Sequence, residues 1–103
     1  MTGRKWVVHD RYGNEIYMTE ERWKHSLEHE DMEEYLLEHI LLTLKTGRRK
    51  QEALDPSKYR YSKAFDDLPA GNEYVVVVVK FGILFDSMGQ LRSNNFVLTA
   101  YTV

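Results

Sequence analysis

Tyr74-Val75-Val76-Val77-Val78-Val79-Lys80 sets five valines in a row between an aromatic residue and a cation. Consecutive β-branched side chains favour a strand, and their failure to alternate with polar residues predicts a strand covered on both faces, central in its sheet. Immediately upstream, Asp66-Asp67-Leu68-Pro69-Ala70-Gly71-Asn72 has turn chemistry. Before that turn the period is two: Tyr59, Tyr61 and Phe65 share one face of a strand while Lys58, Arg60 and Ser62 share the other. Downstream, Phe81 to Phe85 extends the valine strand and Ser87-Met88-Gly89-Gln90 turns the chain. A final strand follows over 96–102. Strict alternation there puts Val97, Thr99, Tyr101 and Val103 on one face and Phe96, Leu98 and Ala100 on the other.

Towards the N-terminus the pattern changes. Lys5 to His9 and Glu15 to Met18 are short runs separated by Asp10-Arg11-Tyr12-Gly13-Asn14, which predicts a hairpin. Thr19 stands at an N-cap position with Glu20 and Glu21 in the first turn, and a short helix is expected from Arg22 to Glu28 or His29. A second helix is expected to begin at Asp31-Met32-Glu33-Glu34, to present Leu37, Ile40, Leu41 and Leu44 on one face, and to stop at Gly47. The expected fold class is therefore α+β, with an N-terminal hairpin and two helices packed on a mostly antiparallel four-stranded sheet.

With 103 residues, 43% of them hydrophobic, the chain reads as one domain spanning 1–103, able to bury roughly two thirds of its unfolded surface. There is no cysteine, which excludes thiol catalysis, Cys-based zinc sites and a disulfide scaffold. No apolar run is long enough to cross a bilayer and no apolar h-region opens the chain, so the expectation is a cytoplasmic protein with no membrane partner. The net charge is −2, but the charges are segregated. Residues 45–63 hold seven Lys and Arg against two acids, whereas residues 15–44 hold nine acids against two cations. Two readings fit the basic stretch. It is a solvated charged surface, or it is a phosphate-binding face built from Arg48, Arg49, Lys50, Lys58, Arg60 and their neighbours.

Four histidines are candidates for chemistry. His25 and His29 are four apart, so a continuous helix stacks them on one face, where two imidazoles can divide acid and base roles or hold a metal. The zinc-protease pattern fails, because glutamate precedes the second histidine instead of following the first. A metal pair completed by Glu28, Glu30 or Asp31 stays open as a minor alternative, but no third ligand stands at a recognisable spacing, so no metal site is assigned. Exposed helix histidines are the plain alternative. His39 reads as a boundary or core residue and His9 as a strand end. Thr99 and Tyr101 offer two hydroxyls on one strand face, which is equally the surface of an ordinary half-exposed strand. Lys80 closes the valine run as an edge or rim cation.

Taken together, Met18-Thr19-Glu20-Glu21-Arg22-Trp23-Lys24-His25 with His29 beyond it, Leu42-Thr43-Leu44-Lys45, Tyr59-Arg60-Tyr61, Tyr74 to Lys80 and Leu98-Thr99-Ala100-Tyr101 resemble small phage- and toxin-associated nuclease-like domains. Those belong to the barnase, EndoU, colicin and RelE-like superfamily. The resemblance covers residues 18–103. It implies two helices before a four-stranded antiparallel sheet and metal-independent endoribonuclease activity, in which a ribose 2′-hydroxyl attacks the adjacent phosphate; no cofactor is implied. On this resemblance His25 or His29 acts as base or acid. Arg22 and Arg60 neutralise the phosphorane, and Thr99 and Tyr101 donate to its oxygens. Arg48, Arg49, Lys50, Lys58 and Lys80 would hold RNA phosphates, with Tyr59, Tyr61 and Tyr101 stacking on unpaired bases. A toxin-like protein implies a protein antitoxin as a second partner. The alternative is a non-catalytic RNA- or protein-binding module on the same fold.

Overall fold

Strand pairing organises the chain, and it does so non-locally. The computed structural model describes residues 3–103. In it β1 (Arg4–His9) and β2 (Glu15–Thr19) form the expected hairpin. Next come α1 (Glu20–Ser26) and α2 (Leu36–Thr46), then β3 (Arg48–Gln51), β4 (Lys58–Ala64), β5 (Tyr74–Lys80), β6 (Ile83–Phe85), β7 (Leu91–Ser93) and β8 (Phe96–Thr102). The fold is α+β, but its main sheet has six strands and not four, in the order β1-β2-β8-β5-β4-β3. It is also mixed, because the N-terminal hairpin joins through a parallel contact between Tyr17 of β2 and Phe96 of β8. The other added strand, β3, is Arg48-Arg49-Lys50-Gln51, which shows no apolar alternation. An edge strand needs only backbone partners on one side, and its cations discourage a further strand from adding.

The valine strand is central, as its composition requires. Val75, Val77 and Val79 are fully buried with Tyr61, Val97 and Ala100 beneath Leu36, Ile40 and Leu44 of α2. Val8, Ile16 and Met18 of the hairpin and Trp23 of α1 complete the core. Each buried Val, Leu or Ile contributes about 1.5–3 kcal/mol of transfer free energy.

Four local expectations are corrected. First, α1 stops at Ser26, with Leu27 as its C-cap, so His29 lies beyond the helix. Two further turns, with Glu28 N–H bonded to the His25 carbonyl and His29 N–H to that of Ser26, keep it beside His25. Second, α2 begins at Leu36 and not at Asp31. Asp31 has a positive φ of 66°, Met32 turns into the core, and like charges such as Glu30 and Glu34 at i,i+4 oppose a helix here. Third, β5 ends at Lys80. Phe81 N–H bonds to Ser57 O, and the chain leaves through Gly82 into the separate β6–β7 hairpin, where Ile83 and Phe85 are each 70% exposed. Fourth, β8 does not alternate strictly. Val78 faces Thr99 and Val79 faces Val97, so Leu98 is the extra residue of a β-bulge. The bulge turns both Val97 and Ala100 inward, where both are fully buried.

One further feature positions the site. Past Phe96, β8 loses β2 as a partner and α1 runs along it instead. Ala100 N–H donates to Ser26 Oγ at 3.0 Å, and Ser26 Oγ donates to the Arg22 carbonyl at 3.0 Å. A buried serine thus satisfies a strand donor that would otherwise be orphaned.

Candidate nucleic-acid interface

The two helices leave one face of the sheet open, and strand register decides which side chains it carries. Arg48 pairs with Ser62, Ser62 with Val76, and Val76 with Tyr101, so these four form one row across β3, β4, β5 and β8. Lys50, Arg60, Val78 and Thr99 form the next row. A third runs from Lys58 through Lys80 and Phe96 to Tyr17. Residues in register share a face, so five cations, two tyrosines and a threonine occupy one surface. A shallow groove of about 390 Å³ follows it, lined by Arg48, Lys50, Arg60, Val76 and Tyr101 among others.

His29 reaches the margin of this surface. Its Nε2 lies 2.8 Å from Thr99 Oγ1, its ring centroid is 6.0 Å from that of Tyr101 and 6.0 Å from that of His25. His25 is exposed and its Nδ1 lies 3.7 Å from Glu28 Oε1. Arg22 is half-buried on α1, one turn before Ser26 and so on the side of the helix that meets β8.

Acids adjust the cations of the face unequally. Arg60 Nε is 2.6 Å from Glu52 Oε2. Lys80 and Lys58 share Asp55, at 3.2 and 3.9 Å. The Ser57 hydroxyl first, and Lys80 after it, stabilise the Asp55 carboxylate and bring its pKa down to about 2. Arg48 and Lys50 have no ion pair among the described residues, so on this face they are the cations free to meet an anion.

Three residues expected to bind RNA lie on the other side of the sheet. Tyr61 is fully buried and donates its hydroxyl to Asp10, so it cannot stack on a base. Burial, with the Asp10 carboxylate behind it, pushes the phenol upward from its ordinary pKa. Arg49 has its guanidinium 4.3 Å above Tyr59 and 4.4 Å above Tyr12, and reaches Tyr61 Oη at 3.4 Å. Tyr59 packs against Phe81, with centroids 4.9 Å apart, and against the core. Arg49, Tyr59 and Tyr61 therefore form an internal cation–π and hydrogen-bond cluster at the end of the β1–β2 hairpin, because odd positions of β3 and β4 face the helices.

Sequence reasoning passed over Tyr17 and Phe96, which extend the open face onto β2 with ring centroids 6.0 Å apart; Arg4 lies 4.1 Å above Tyr17. It also passed over Glu52 and Asp55 as partners of Arg60 and Lys80. No spacing rule brings these residues together, since the pairings depend on the path of the loop between β3 and β4. His39 is a boundary residue as expected, with Nε2 2.9 Å from both Asp67 carboxylate oxygens and Phe65 beside its ring. Among the described residues no group of three or more His, Asp and Glu is arranged to hold a metal ion. None of the described helices is long and apolar enough to cross a membrane.

Comparison with protein-family models, with curated protein sequences and with solved structures gave no significant match for this chain.

Proposed function

We propose that the open sheet face binds single-stranded RNA and that His29 at its margin takes part in metal-independent cleavage of the strand. The observation that carries this reading is the contact of His29 Nε2 with Thr99 Oγ1 beside Tyr101, on the face that also presents Arg48, Lys50 and Arg60. A titratable imidazole, two hydroxyl donors and free cations are the groups that transesterification of a phosphodiester uses. The resemblance to barnase, EndoU, colicin and RelE-like domains supports the same reading.

In the reaction the base removes the 2′-hydroxyl proton and the oxygen attacks phosphorus. The 5′-oxygen leaves with a proton from the acid, giving a 2′,3′-cyclic phosphate and a 5′-hydroxyl end. His25 and His29 supply base and acid. Thr99 and Tyr101 donate to the non-bridging oxygens, and Arg60 with Lys50 offsets the charge that develops there. Tyr17, Phe96 and Tyr101 offer ring faces to unpaired bases.

The test is cleavage of a mixed tRNA and mRNA pool in EDTA by wild type, His25→Ala and His29→Ala, with analysis of the ends. Cyclic phosphate ends that disappear in His29→Ala, with unchanged thermal unfolding, support the reading. No cleavage over several orders of enzyme concentration refutes catalysis and leaves the face as a binding module for RNA or for a protein partner such as an antitoxin.

A further inference from the structure

Where β4 outruns β3, a second concavity of about 420 Å³ opens beside the first. Because β3 starts at Arg48 opposite Ser62, Lys63 and Ala64 have no partner strand on that side. Thr46 and Gly47, at the end of α2, form one wall. Arg11, carried by the turn between β1 and β2, closes another, and its Nη1 donates to the Thr46 carbonyl at 3.4 Å. Arg48, Ser62 and Lys63 line the rest with Ala64 and Tyr74, and no acid does.

The charge balance of this corner is unusual for the molecule. Among the described residues six cations make no ion pair: Arg11, Arg22, Lys45, Arg48, Lys50 and Lys63. Arg11, Arg48 and Lys63 line the concavity, Lys45 lies in the adjoining last turn of α2, and Lys50 follows on β3. A helix C-terminus carries roughly half a negative charge, which cannot balance three full positive ones. Two of the carbonyls in its last turns also accept bonds from within the chain, Thr43 O from Gly47 N–H at 2.8 Å and Leu42 O from Thr46 Oγ1 at 3.0 Å. The surplus cations face solvent in a pocket that also offers the Ser62 hydroxyl. Arg48 and Ser62 line both concavities, so the two adjoin.

We propose that this corner is a second phosphate subsite, which takes a backbone phosphate of the same RNA strand beyond the segment lying on the open face. The inference rests on the RNA reading of that face. Two guanidiniums suit the non-bridging oxygens, each as a two-pronged donor, while Lys63 acts as a point charge. The strand crosses from the sheet face past Arg48 and turns down beside Lys63, with Arg11 on the far side. The hairpin turn thereby becomes part of the binding surface.

Fluorescence anisotropy with labelled 2′-O-methyl oligouridylates of two and eight nucleotides, which cannot be cleaved, tests it. The proteins are wild type, Arg11→Ala/Lys63→Ala, the single Arg11→Ala, and a Lys5→Ala/Lys24→Ala control that removes the same charge elsewhere. The expected result is about a tenfold weaker grip on the eight-mer by the first variant and a salt-dependence slope lower by about 0.7, the counterion release of one single-strand phosphate. The single variant falls in between, and the dinucleotide and the control are unchanged. If wild type binds the eight-mer and the Arg11→Ala/Lys63→Ala variant binds it no more weakly than the Lys5→Ala/Lys24→Ala control does, the subsite is wrong while the open-face reading survives. If wild type binds neither oligonucleotide, the open-face reading itself fails.

Discussion

Nε2 of His29 lies 2.8 Å from Oγ1 of Thr99 although seventy positions separate them in the chain. The pairing exists because α1 replaces β2 along β8, with Ser26 receiving the Ala100 N–H, and because the bulge at Leu98 leaves Thr99 facing outward. Thr99→Val keeps the shape and strand preference of the residue while removing the hydroxyl that orients the imidazole. The expected outcome is a kcat for RNA cleavage lower by about tenfold with KM within twofold. Thermal unfolding should shift by no more than about 3 °C, since partly exposed substitutions of this kind are near neutral in stability. A KM effect with kcat intact would assign Thr99 to binding instead.

Asp55 restrains the face electrostatically by holding Lys80 and Lys58. Asp55→Asn removes a charge and leaves both lysines to phosphates. RNA affinity at low salt is expected to rise about three- to tenfold, with a steeper dependence on salt concentration. A titration by anisotropy at several salt concentrations checks this, and unchanged affinity would show that the RNA does not pass over β4 and β5 at Lys58 and Lys80.

Acid sensitivity is expected to reside in the buried cluster at the hairpin. Burial works to raise the pKa of Asp10, but hydrogen bonds from Tyr61, from the backbone and side chain of Asn14 and from Tyr12 N–H outweigh it and the net shift is downward from 3.8. A carboxyl whose folded pKa is depressed stabilises the fold fully above its unfolded pKa, and that stability is lost as pH falls through the folded value. Urea midpoints should therefore fall below about pH 4, and Asp10→Asn should flatten that decline. Tyr61→Phe, which leaves the buried Asp10 Oδ2 with Asn14 Nδ2 at 3.1 Å but without its phenol donor, should cost about 1–3 kcal/mol at pH 7.

Gly47 is required for space and not for conformation, because its φ of −72° suits any residue. A Cβ there would stand 2.5 Å from the Thr43 carbonyl oxygen and 2.7 Å from that of Ser62. Both are backbone atoms that cannot move aside without breaking the junction of α2 with β4. Gly47→Ala is expected to destabilise the protein by about 1–3 kcal/mol, read as a lower urea midpoint with unchanged slope.

Much of this architecture was legible in the residues. Five consecutive valines placed β5 at the centre of the sheet, the Leu37, Ile40, Leu41 and Leu44 spacing placed α2, and the Asp10 to Asn14 turn placed the hairpin. These signals are local, and local periodicity reports burial directly. What escaped depends on partners distant in sequence. Arg48 to Gln51 became a strand because β4 offers it a ladder, and the hairpin entered the sheet because Phe96 meets Tyr17. A bulge leaves no mark in composition, so strict alternation put Val97 on the wrong face. The site divides the same way. His29, Thr99, Tyr101, Arg60, Arg48 and Lys50 were named from residue type and come together on or beside one face. Tyr59, Tyr61 and Arg49 were named on the same grounds and point inward, since residue type does not tell which side of a sheet the helices cover.

The position of β8 has a kinetic consequence. The last strand in chain order lies between β2 and β5, so the hairpin at one end and the β5-β4-β3 ladder at the other share no strand pairing until it inserts, and side-chain contacts such as Tyr61 with Asp10 are what link them. Every contact it makes closes a long loop, which slows folding relative to a chain built from neighbouring pairs. Until that step both blocks expose an unpaired strand edge to other chains. Thr99 and Tyr101 arrive on the inserting strand itself, so the open face gains these two hydroxyls only when β8 pairs with β5.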